Sequence, residues 1–272
     1  MKLIHCVGIG PGDDGHLTRK ALEAITSSDV IVGYRAYLEY ISHFLLDQKV
    51  ISTGMTKEVD RARAAVDEAL NGKRVCVVSS GDSGIYAMAG LILEVCMELG
   101  IRVERYGKKS FTPKTSNDAP LFVNIVPGVP AFVAGAALLG APLMHDFCAI
   151  SLSDLLTPWE LIETRLRKAG EGDFVVALYN PRSKKRDWQL PRALDILKDY
   201  REDKTPVGIV KRASRQGENV HIFTLNTVPV ETVDMESLLI IGNSNTYVYG
   251  PFMVTPRGYL EKYEIHAPSQ RP

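Results

Sequence analysis

The sequence predicts an α/β fold, and three observations support this prediction. Short runs of β-branched residues alternate with helix-period segments along the whole chain, which is typical of parallel sheets with crossover helices. The length of 272 residues, at roughly 150 residues per domain, indicates about two domains. An apolar content of 45% is enough for each domain to bury its own core, which excludes disordered and fibrous proteins.

The first half of the chain alternates between the two kinds of segment in a simple order. Strands are predicted at 3–9, 30–32, 74–79 and 101–106, and helices at 18–28, 37–46, 57–70 and 84–99. Asn71-Gly72 follows the third helix and is a typical helix C-terminal signal. Residues 107–120 lose the periodicity and are rich in Lys, Ser, Thr, Pro and Asn. We therefore predict two domains, 1–118 and 119–272.

The second half continues the same alternation, without internal repeats. Strands are predicted at 121–126, 173–179, 206–210, 221–224 and 237–241, and helices at 130–139, 157–169 and 187–200. The start of the second of these helices is marked by Thr157 as N-cap, Pro158 at the first helical position and Glu160 at the third.

Charge and cysteine usage exclude several classes of function. Thirty-two basic residues balance thirty-two acidic ones, so the global cationic field that drives binding to nucleic acid or anionic membranes is missing. The most apolar run, 132–144, is too short to cross a bilayer, and no secretory signal follows Met1, which predicts a cytoplasmic protein. The cysteines have no metal-ligand spacing, so we expect buried, reduced thiols and no metal site. They are Cys6, Cys76, Cys96 and Cys148.

Three glycine-rich loops, 7–13, 79–84 and 126–131, follow predicted strands. Ligands bind outside the carboxyl ends of strands in open α/β sheets, so these loops are candidate binding sites. The first loop fails the dinucleotide fingerprint, because Asp13 occupies the third glycine position, and the P-loop pattern, because His16 stands where Lys is required. For each loop, a tight turn that needs a positive φ angle is the alternative.

The second loop also suggests a different enzyme. Gly81-Asp82-Ser83-Gly84 is similar to the nucleophile segment of trypsin-like proteases. However, Ile85 replaces the next glycine, the context is strand then helix, and no partner His is indicated. A serine hydrolase using Ser83 is the weaker alternative.

Taken together, the loops resemble the tetrapyrrole methyltransferases of the cobalamin and sirohaem pathways, over about residues 3–260. The family resemblance is carried by residues 7–13 (VGIGPGD), 81–82 (GD) and 127–129 (PGV). Other segments are similar to the precorrin-3B C17-methyltransferase subgroup, which contracts the macrocycle during corrin assembly. These segments are 31–34, 53–55, 78–86, 145–147, 150–160, 178–183 and 255–259.

The resemblance implies two α/β domains with S-adenosylmethionine in a trough between them, and a homodimer. The cofactor contacts implied by position are Pro11, Ser80, Gly81, Asp82, Ile85, Pro130, Ala131, Asn180 and Ala213. The chain departs from its relatives at Pro130, where Ser or Thr is usual, and at Asn180, where several relatives have Met. Glycines 81 and 128 are expected to let the backbone approach the ligand. Asp82 would lie near the cationic cofactor, or would cap the helix 84–99.

The implied acceptor is a corrinoid precursor with several acetate and propionate groups, which a neutral protein must neutralise locally. We expect Arg182, directly after the strand 173–179, to grip a carboxylate. Lys184-Lys185-Arg186 is more simply a solvated helix start, and Lys57 and Arg61, on one helical face, could equally be surface solubilisers. The candidate acceptor-binding residues are Arg35, Lys57, Arg61, Arg182, Arg215 and Arg257.

Methylation at C17 is coupled in this subgroup to ring contraction, which requires proton transfer to or from an oxygen function of the macrocycle. The candidate acid or base groups are Tyr34, His145, Asp146, Ser153 and Asp154. Each has a structural alternative: the His145-Asp146 pair can cap a turn, the Ser153-Asp154 pair can satisfy loop amides, and Tyr34 can be core.

The resemblance thus predicts methylation of C17 of precorrin-3B, or of cobalt-precorrin-3, with S-adenosylmethionine as donor and S-adenosylhomocysteine as product. Methylation of C11 or C20 is the alternative within the family. A corrinoid-binding protein without catalysis is the alternative outside it. The sequence leaves open whether the acceptor already holds cobalt.

Overall fold

The computed structural model describes residues 1–107 and 119–264. The chain divides into two compact units, Met1–Ala131 and Phe132–Pro272. The boundary predicted after residue 118 falls at the end of a segment outside the described residues. The observed division comes later, because the strand Leu121–Val126, which we assigned to the second domain, pairs with Leu3–Gly8 in the first unit.

The first unit contains one sheet of six strands in the order β3-β2-β4-β1-β6-β5, and every pair is parallel. Strands β1 and β4 are apolar and almost wholly buried, as expected for strands covered on both faces. The strands are β1 (Leu3–Gly8), β2 (Val30–Tyr34), β3 (Lys49–Thr53), β4 (Arg74–Ser79), β5 (Val103–Arg105) and β6 (Leu121–Val126).

Four α-helices accompany this sheet, and two hydrophobic clusters cover its faces. The cluster on one face includes apolar residues of α3 and α4, and the other includes those of α1 and α2. Thr18 caps α1 through its side chain, and Gly72 ends α3 with a φ of +85°. The helices are α1 (Arg19–Ser27), α2 (Arg35–Tyr40), α3 (Glu58–Leu70) and α4 (Met88–Glu98), with 3-10 turns at Asp14–His16 and Ser42–Phe44.

The second unit has a five-stranded sheet in the order β11-β10-β12-β9-β8 and a small sheet in the order β13-β14-β7. Its helices are α5 (Ala131–Leu139, which begins at the last residue of the first unit), α6 (Trp159–Glu171), α7 (Gln189–Lys198) and α8 (Tyr259–Lys262), and Val230–Thr232 is a 3-10 turn. Its strands are β7 (Gly140–Ala141), β8 (Phe147–Ser151), β9 (Val175–Tyr179), β10 (Pro206–Lys211), β11 (Asn219–Thr224), β12 (Ser237–Ile241), β13 (Tyr247–Tyr249) and β14 (Phe252–Val254).

The five-stranded sheet corrects the expectation of parallel sheets throughout. Only β8 and β9 pair in parallel; the other three pairings are antiparallel. The connection from β10 to β11 is short and contains no helix, so it joins antiparallel neighbours. The expected Thr157 cap is also wrong, since α6 begins at Trp159 with Pro158 in the N-cap position and no side-chain cap bond.

The cysteines fulfil the expectation of buried thiols for three of the four positions. Cys6, Cys76 and Cys96 are buried, Cys148 is partly buried, and all four are free. Burial raises the pKa of Cys6 to about 12 and that of Cys148 to about 11, so both side chains are protonated at neutral pH. Within the described residues, no helix is both long and apolar enough to span a membrane.

Candidate active site

The three glycine-rich loops of the first unit meet at one edge of its sheet. They follow β1, β4 and β6, and these strands are neighbours in the order β4-β1-β6. Because all three strands are parallel, their carboxyl ends lie at the same edge. The strand order therefore brings together loops that are far apart in sequence.

The backbones of the first two loops are hydrogen bonded to each other. The nitrogen of Gly10 donates to the carbonyl of Gly81 at 3.1 Å, and the nitrogen of Gly81 donates to the carbonyl of Gly10 at 2.7 Å. Both residues have positive φ angles, +76° for Gly10 and +69° for Gly81. A Cβ atom on Gly8 would lie 2.6 Å from the carbonyl oxygen of Gly81 and 2.7 Å from the nitrogen of Gly128. The absence of a side chain at Gly8 and at Gly128 therefore allows the loops to pack closely against each other. The sequence predicts instead that Gly128 lets the backbone approach a ligand.

Asp82 joins the second loop to the third. Its Oδ1 accepts from the nitrogen of Gly84 at 2.8 Å, and its Oδ2 accepts from the nitrogen of Gly128 at 3.0 Å. The alternative in which Asp82 caps the following helix is wrong, because α4 begins at Met88, with Ala87 in the N-cap position and no side-chain cap bond. The carboxylate instead fixes two turns.

Gly81 in the second loop faces Pro130 and Ala131 of the third loop. A Cβ atom on Gly81 would lie 3.6 Å from both the Cα of Pro130 and the nitrogen of Ala131, which is ordinary contact distance. Pro11 directly follows the bonded Gly10, and Ser80 and Ile85 belong to the second loop. The seven cofactor contacts expected in the first unit therefore lie on three joined loops. All except Pro11 and Gly81 are only partly buried and are therefore accessible to a ligand.

Ser83, the nucleophile of the hydrolase alternative, is 1% exposed. Its hydroxyl donates to the carbonyl of Val126 at 3.2 Å. A serine that is buried in this way cannot reach a substrate carbonyl, so its role is to hold the second loop against β6.

The second unit places its own candidate residues at the carboxyl edge of its sheet. Strands β9 and β10 are both antiparallel to β12, so they run in the same direction, and β8 is parallel to β9. Asn180 directly follows β9 with a φ of +49°, and its Nδ2 donates to Oγ of Ser151 at 3.0 Å. Ala213 follows β10 between two residues of positive φ, Arg212 and Ser214.

The five proton-transfer candidates do not form one cluster. Tyr34 ends β2 in the first unit, where its ring packs edge-on against Tyr37 at 5.2 Å between centroids. In the second unit, His145 and Asp146 precede β8 while Ser153 and Asp154 follow it, so the two pairs lie at opposite ends of a strand of about 16 Å.

The pairs His145-Asp146 and Ser153-Asp154 also differ in their hydrogen bonds. His145 and Asp146 are exposed, and Nδ1 of His145 accepts from the nitrogen of Asp146 at 2.8 Å, which is the turn-capping alternative. At the carboxyl edge, the nitrogen of Ser153 donates to Oγ of Ser151 at 3.2 Å, and Oδ2 of Asp154 accepts from Nε2 of Gln189 at 2.9 Å. Only the Ser153-Asp154 pair therefore lies beside Asn180.

Lys57 and Arg61 differ, although we expected them to share a helical face. Lys57 is exposed and pairs with Asp60 at 3.2 Å. Arg61 is 4% exposed; its Nε donates to Oγ1 of Thr53 at 2.7 Å and its Nη2 to the carbonyl of Gly54 at 2.9 Å. The surface-solubiliser alternative is therefore wrong for Arg61, which holds the segment after β3.

The remaining cations are spread over both units. Arg35 is exposed at the start of α2, next to Tyr34. Arg182 donates from Nη1 to the carbonyl of Glu231 at 3.0 Å, while its Nε is buried without a hydrogen-bond partner among the described residues. Arg215 lies in the turn after β10, where its nitrogen donates to the carbonyl of Arg212. Arg257 contacts the carbonyl of Met144 at 3.5 Å, before the amino end of β8.

Residues 3–229 match the family model described as Tetrapyrrole (Corrin/Porphyrin) Methylases. The chain belongs to this family. It is 46% identical over 257 residues to the probable cobalt-factor III C(17)-methyltransferase of Salmonella typhimurium, covering 94% of this chain and 99% of that protein. It is 38% identical over 261 residues to the precorrin-3B C(17)-methyltransferase of a Sinorhizobium species, covering 94% and 96%.

A solved structure agrees with the assignment of this chain to the methylase family. The crystal structure of the methyltransferase CobJ superposes with a TM-score of 0.79 and 35% sequence identity, covering 93% of this chain and 98% of that one. The family and the α/β fold expected from the sequence are therefore confirmed.

Two residues that hold the carboxyl edge of the five-stranded sheet in this methylase were not identified from the sequence. Arg186, which we assigned to a solvated helix start, donates from Nη1 to the carbonyls of Leu152 at 3.1 Å and Asn180 at 2.5 Å. Gln189, which holds Asp154, is 2% exposed. Because residues 184–186 are all cationic, the sequence gives no signal that Arg186 is half-buried while Lys184 and Lys185 are exposed.

Proposed function

We propose that this methylase transfers the methyl group of S-adenosylmethionine to C17 of a precorrin-3 species during ring contraction in cobalamin biosynthesis. The observation that carries the proposal is the similarity, over 94% of the chain, to two proteins whose names specify C17 methylation. The joined glycine loops support it, because they supply the main-chain surface that a methyl donor requires.

The donor supplies an electrophilic methyl group, and the protein has to hold it in line with the attacking carbon while excluding water. In the first unit we assign donor contacts to Pro11, Ser80, Gly81, Asp82, Ile85, Pro130 and Ala131. In the second unit we assign donor contacts to Asn180 and Ala213, at the carboxyl edge of the five-stranded sheet. Asp82 accepts hydrogen bonds from two backbone N–H groups, and an acidic side chain at this edge favours a cationic ligand nearby.

The acceptor carries carboxylates, and Arg182 is the cation that we assign first to binding one of them. Its guanidinium is only partly buried and is oriented by the bond from Nη1 to the carbonyl of Glu231, so further N–H groups of the same side chain can bind a carboxylate oxygen. Arg35, Lys57 and Arg215 are assigned the remaining acceptor contacts, and Arg257 is the weakest candidate, because it contacts Met144 before the amino end of β8. Arg61 is assigned a supporting role, because its hydrogen bonds hold Thr53 and Gly54.

Ring contraction requires a proton to move at a macrocycle oxygen, and we assign this step to Asp154. Gln189 fixes one of its carboxylate oxygens, and Ser153 lies next to it. Tyr34, His145 and Asp146 are weaker candidates, because they lie in the first unit or at the amino end of β8. The homodimer that the resemblance implies and the cytoplasmic location that the sequence predicts also stay predictions.

The test is incubation with methyl-labelled S-adenosylmethionine and either precorrin-3B or its cobalt form, followed by mass spectrometry and carbon NMR. The proposal expects one added methyl group on C17 and a contracted macrocycle with at least one acceptor. A label on C11 or C20 would replace the proposal by its family alternative. Acceptor binding without any transfer would identify a corrinoid-binding protein instead. The two acceptors also decide whether cobalt precedes methylation.

A further inference from the structure

Arg186 is a half-buried cation to which the proposed reaction assigns no role. It lies in the turn between β9 and α7, where its backbone exchanges two hydrogen bonds with Ser183. Desolvation lowers the pKa of its guanidinium below the usual value, while the charge of Asp154 opposes this shift. A cation kept partly out of water is expected to have strong hydrogen-bond partners.

The guanidinium joins three separate segments of the second unit. Nη1 donates to the carbonyl of Leu152, after β8, and to the carbonyl of Asn180, after β9. Nη2 lies 3.4 Å from Sδ of Met235, before β12. Both carbonyl bonds start from Nη1, and Nη2 adds the contact with Met235, so one guanidinium links all three segments.

The contact with Asn180 matters because this residue is in a left-handed conformation. Its φ of +49° is unusual outside glycine, and the carbonyl that it directs towards Arg186 is fixed at 2.5 Å. The Asn180 amide in turn donates to Oγ of Ser151, which also accepts from the nitrogen of Ser153. Arg186 thus sets the orientation of Asn180 and, through Leu152, the course of residues 151–154.

We propose that Arg186 is a positioning residue for donor binding, which acts by holding Asn180 in the left-handed conformation that presents its amide. This inference rests on the proposed function, since it requires Asn180 to contact the methyl donor. Arg186 touches neither the donor nor the acceptor in this role.

The test measures S-adenosylhomocysteine affinity by calorimetry on the full chain. R186A is expected to raise the dissociation constant by about tenfold or more, because displacing one binding group costs affinity. R186K, which keeps the charge but not the fork, is expected to lie between R186A and the unsubstituted protein. K185A, at the exposed neighbouring position, is expected to change nothing. Millimolar guanidinium should restore affinity to R186A and leave K185A unchanged.

Two further measurements separate positioning from general structure. In the N180G background, which keeps the left-handed conformation but lacks the amide, R186A should change the affinity by less than about twofold, because no amide remains to be oriented. In steady-state kinetics, R186A should raise the KM for the donor more than it lowers kcat.

Unchanged affinity in a folded R186A protein, or an equal loss in the N180G background, would overturn the role of Arg186 and leave the proposed function standing. If R186A does not fold, unchanged affinity in R186K overturns it. If the unsubstituted protein binds no S-adenosylhomocysteine, the proposed function fails and this inference fails with it.

Discussion

Oδ2 of Asp82 lies 3.0 Å from the backbone nitrogen of Gly128, and this bond joins loops that follow two strands separated by a third. The bridge passes over Gly8 at the end of β1, where a Cβ atom would lie 2.9 Å from the Cα of Asp82. One carboxylate and one missing side chain therefore set the separation of the second and third loops.

Replacing Asp82 should weaken both the fold and donor binding. Asp82→Ala leaves the partly buried Gly128 N–H without its acceptor, which costs about 1–3 kcal/mol in the free energy of unfolding. Asp82→Asn should also weaken the bridge, because an amide nitrogen cannot accept from a backbone N–H. We expect a higher dissociation constant for S-adenosylhomocysteine in both variants. Asp195→Ala, which removes an exposed carboxylate paired with Lys198, should leave the affinity unchanged. Full affinity in D82A would contradict this assignment.

Replacing Gly81 by Val should abolish donor binding while the protein stays folded. The φ of +69° makes any side chain there strained, and the new Cβ would point towards Pro130 and Ala131. Gly72→Val is a matched control, because Gly72 has a φ of +85° with no atom near its Cβ position and lies at the end of α3. Calorimetry with S-adenosylhomocysteine should show binding lost in G81V and kept in G72V. Equal affinities in the two variants would show that the space beside Gly81 is not used by the donor.

The sequence predicted most elements of the first unit, because their signals are local, but β3 at its edge was not predicted. β1 and β4 are apolar runs that end at glycine loops, and α3 ends at Asn71-Gly72. The meeting of the three loops could only be expected by analogy with a family, since it depends on the strand order β4-β1-β6. In the second unit, only residues 212–218 join β10 to β11, too few for a crossover helix, so this sequence sign of antiparallel pairing was overlooked.

The charged residues show the same limit. The sequence left Arg61 open between acceptor binding and a surface role and placed Arg186 in a solvated helix start, whereas Arg61 is buried, Arg186 is half-buried, and both donate to backbone carbonyls. Which backbone carbonyls accept from an arginine depends on how the loops fold in three dimensions. These contacts leave no pattern of residue types in the sequence. The residues around Gly81 belong to a sequence motif, whereas the arginines that support the edges do not.

Replacing Arg182 by Ala should weaken acceptor binding and leave donor binding almost unchanged. The partly buried guanidinium of Arg182 is the group that we assign to an acceptor carboxylate, and loss of a charged hydrogen bond costs about 1.5–3 kcal/mol, or roughly ten- to a hundredfold in KM for the acceptor. Lys184→Ala removes an exposed cation two residues away and should have little effect. Steady-state kinetics with each substrate varied in turn give both constants. A parallel loss of acceptor and donor affinity in R182A would point to a collapsed turn.

The stability of the first unit should fall in mild acid because of His5. This residue is 6% exposed on β1, and Nδ1 lies 2.9 Å from the amide nitrogen of Asn124, which can only donate and so favours the neutral ring. Burial, with a smaller contribution from the charge of Arg74, lowers the pKa from 6.5 to about 4. Between these values the unfolded chain binds a proton that the folded chain does not, so the free energy of unfolding falls as the pH falls.

The expected loss is roughly 2 kcal/mol between about pH 7.5 and about pH 5, measured from urea unfolding curves. His5→Gln, whose side chain does not titrate, is the control: it shares every other pH-dependent group with the unsubstituted protein. The difference in free energy of unfolding between the two proteins should therefore shrink by this amount as the pH is lowered. Parallel curves for both proteins would show that His5 is protonated as readily in the folded chain as in the unfolded one.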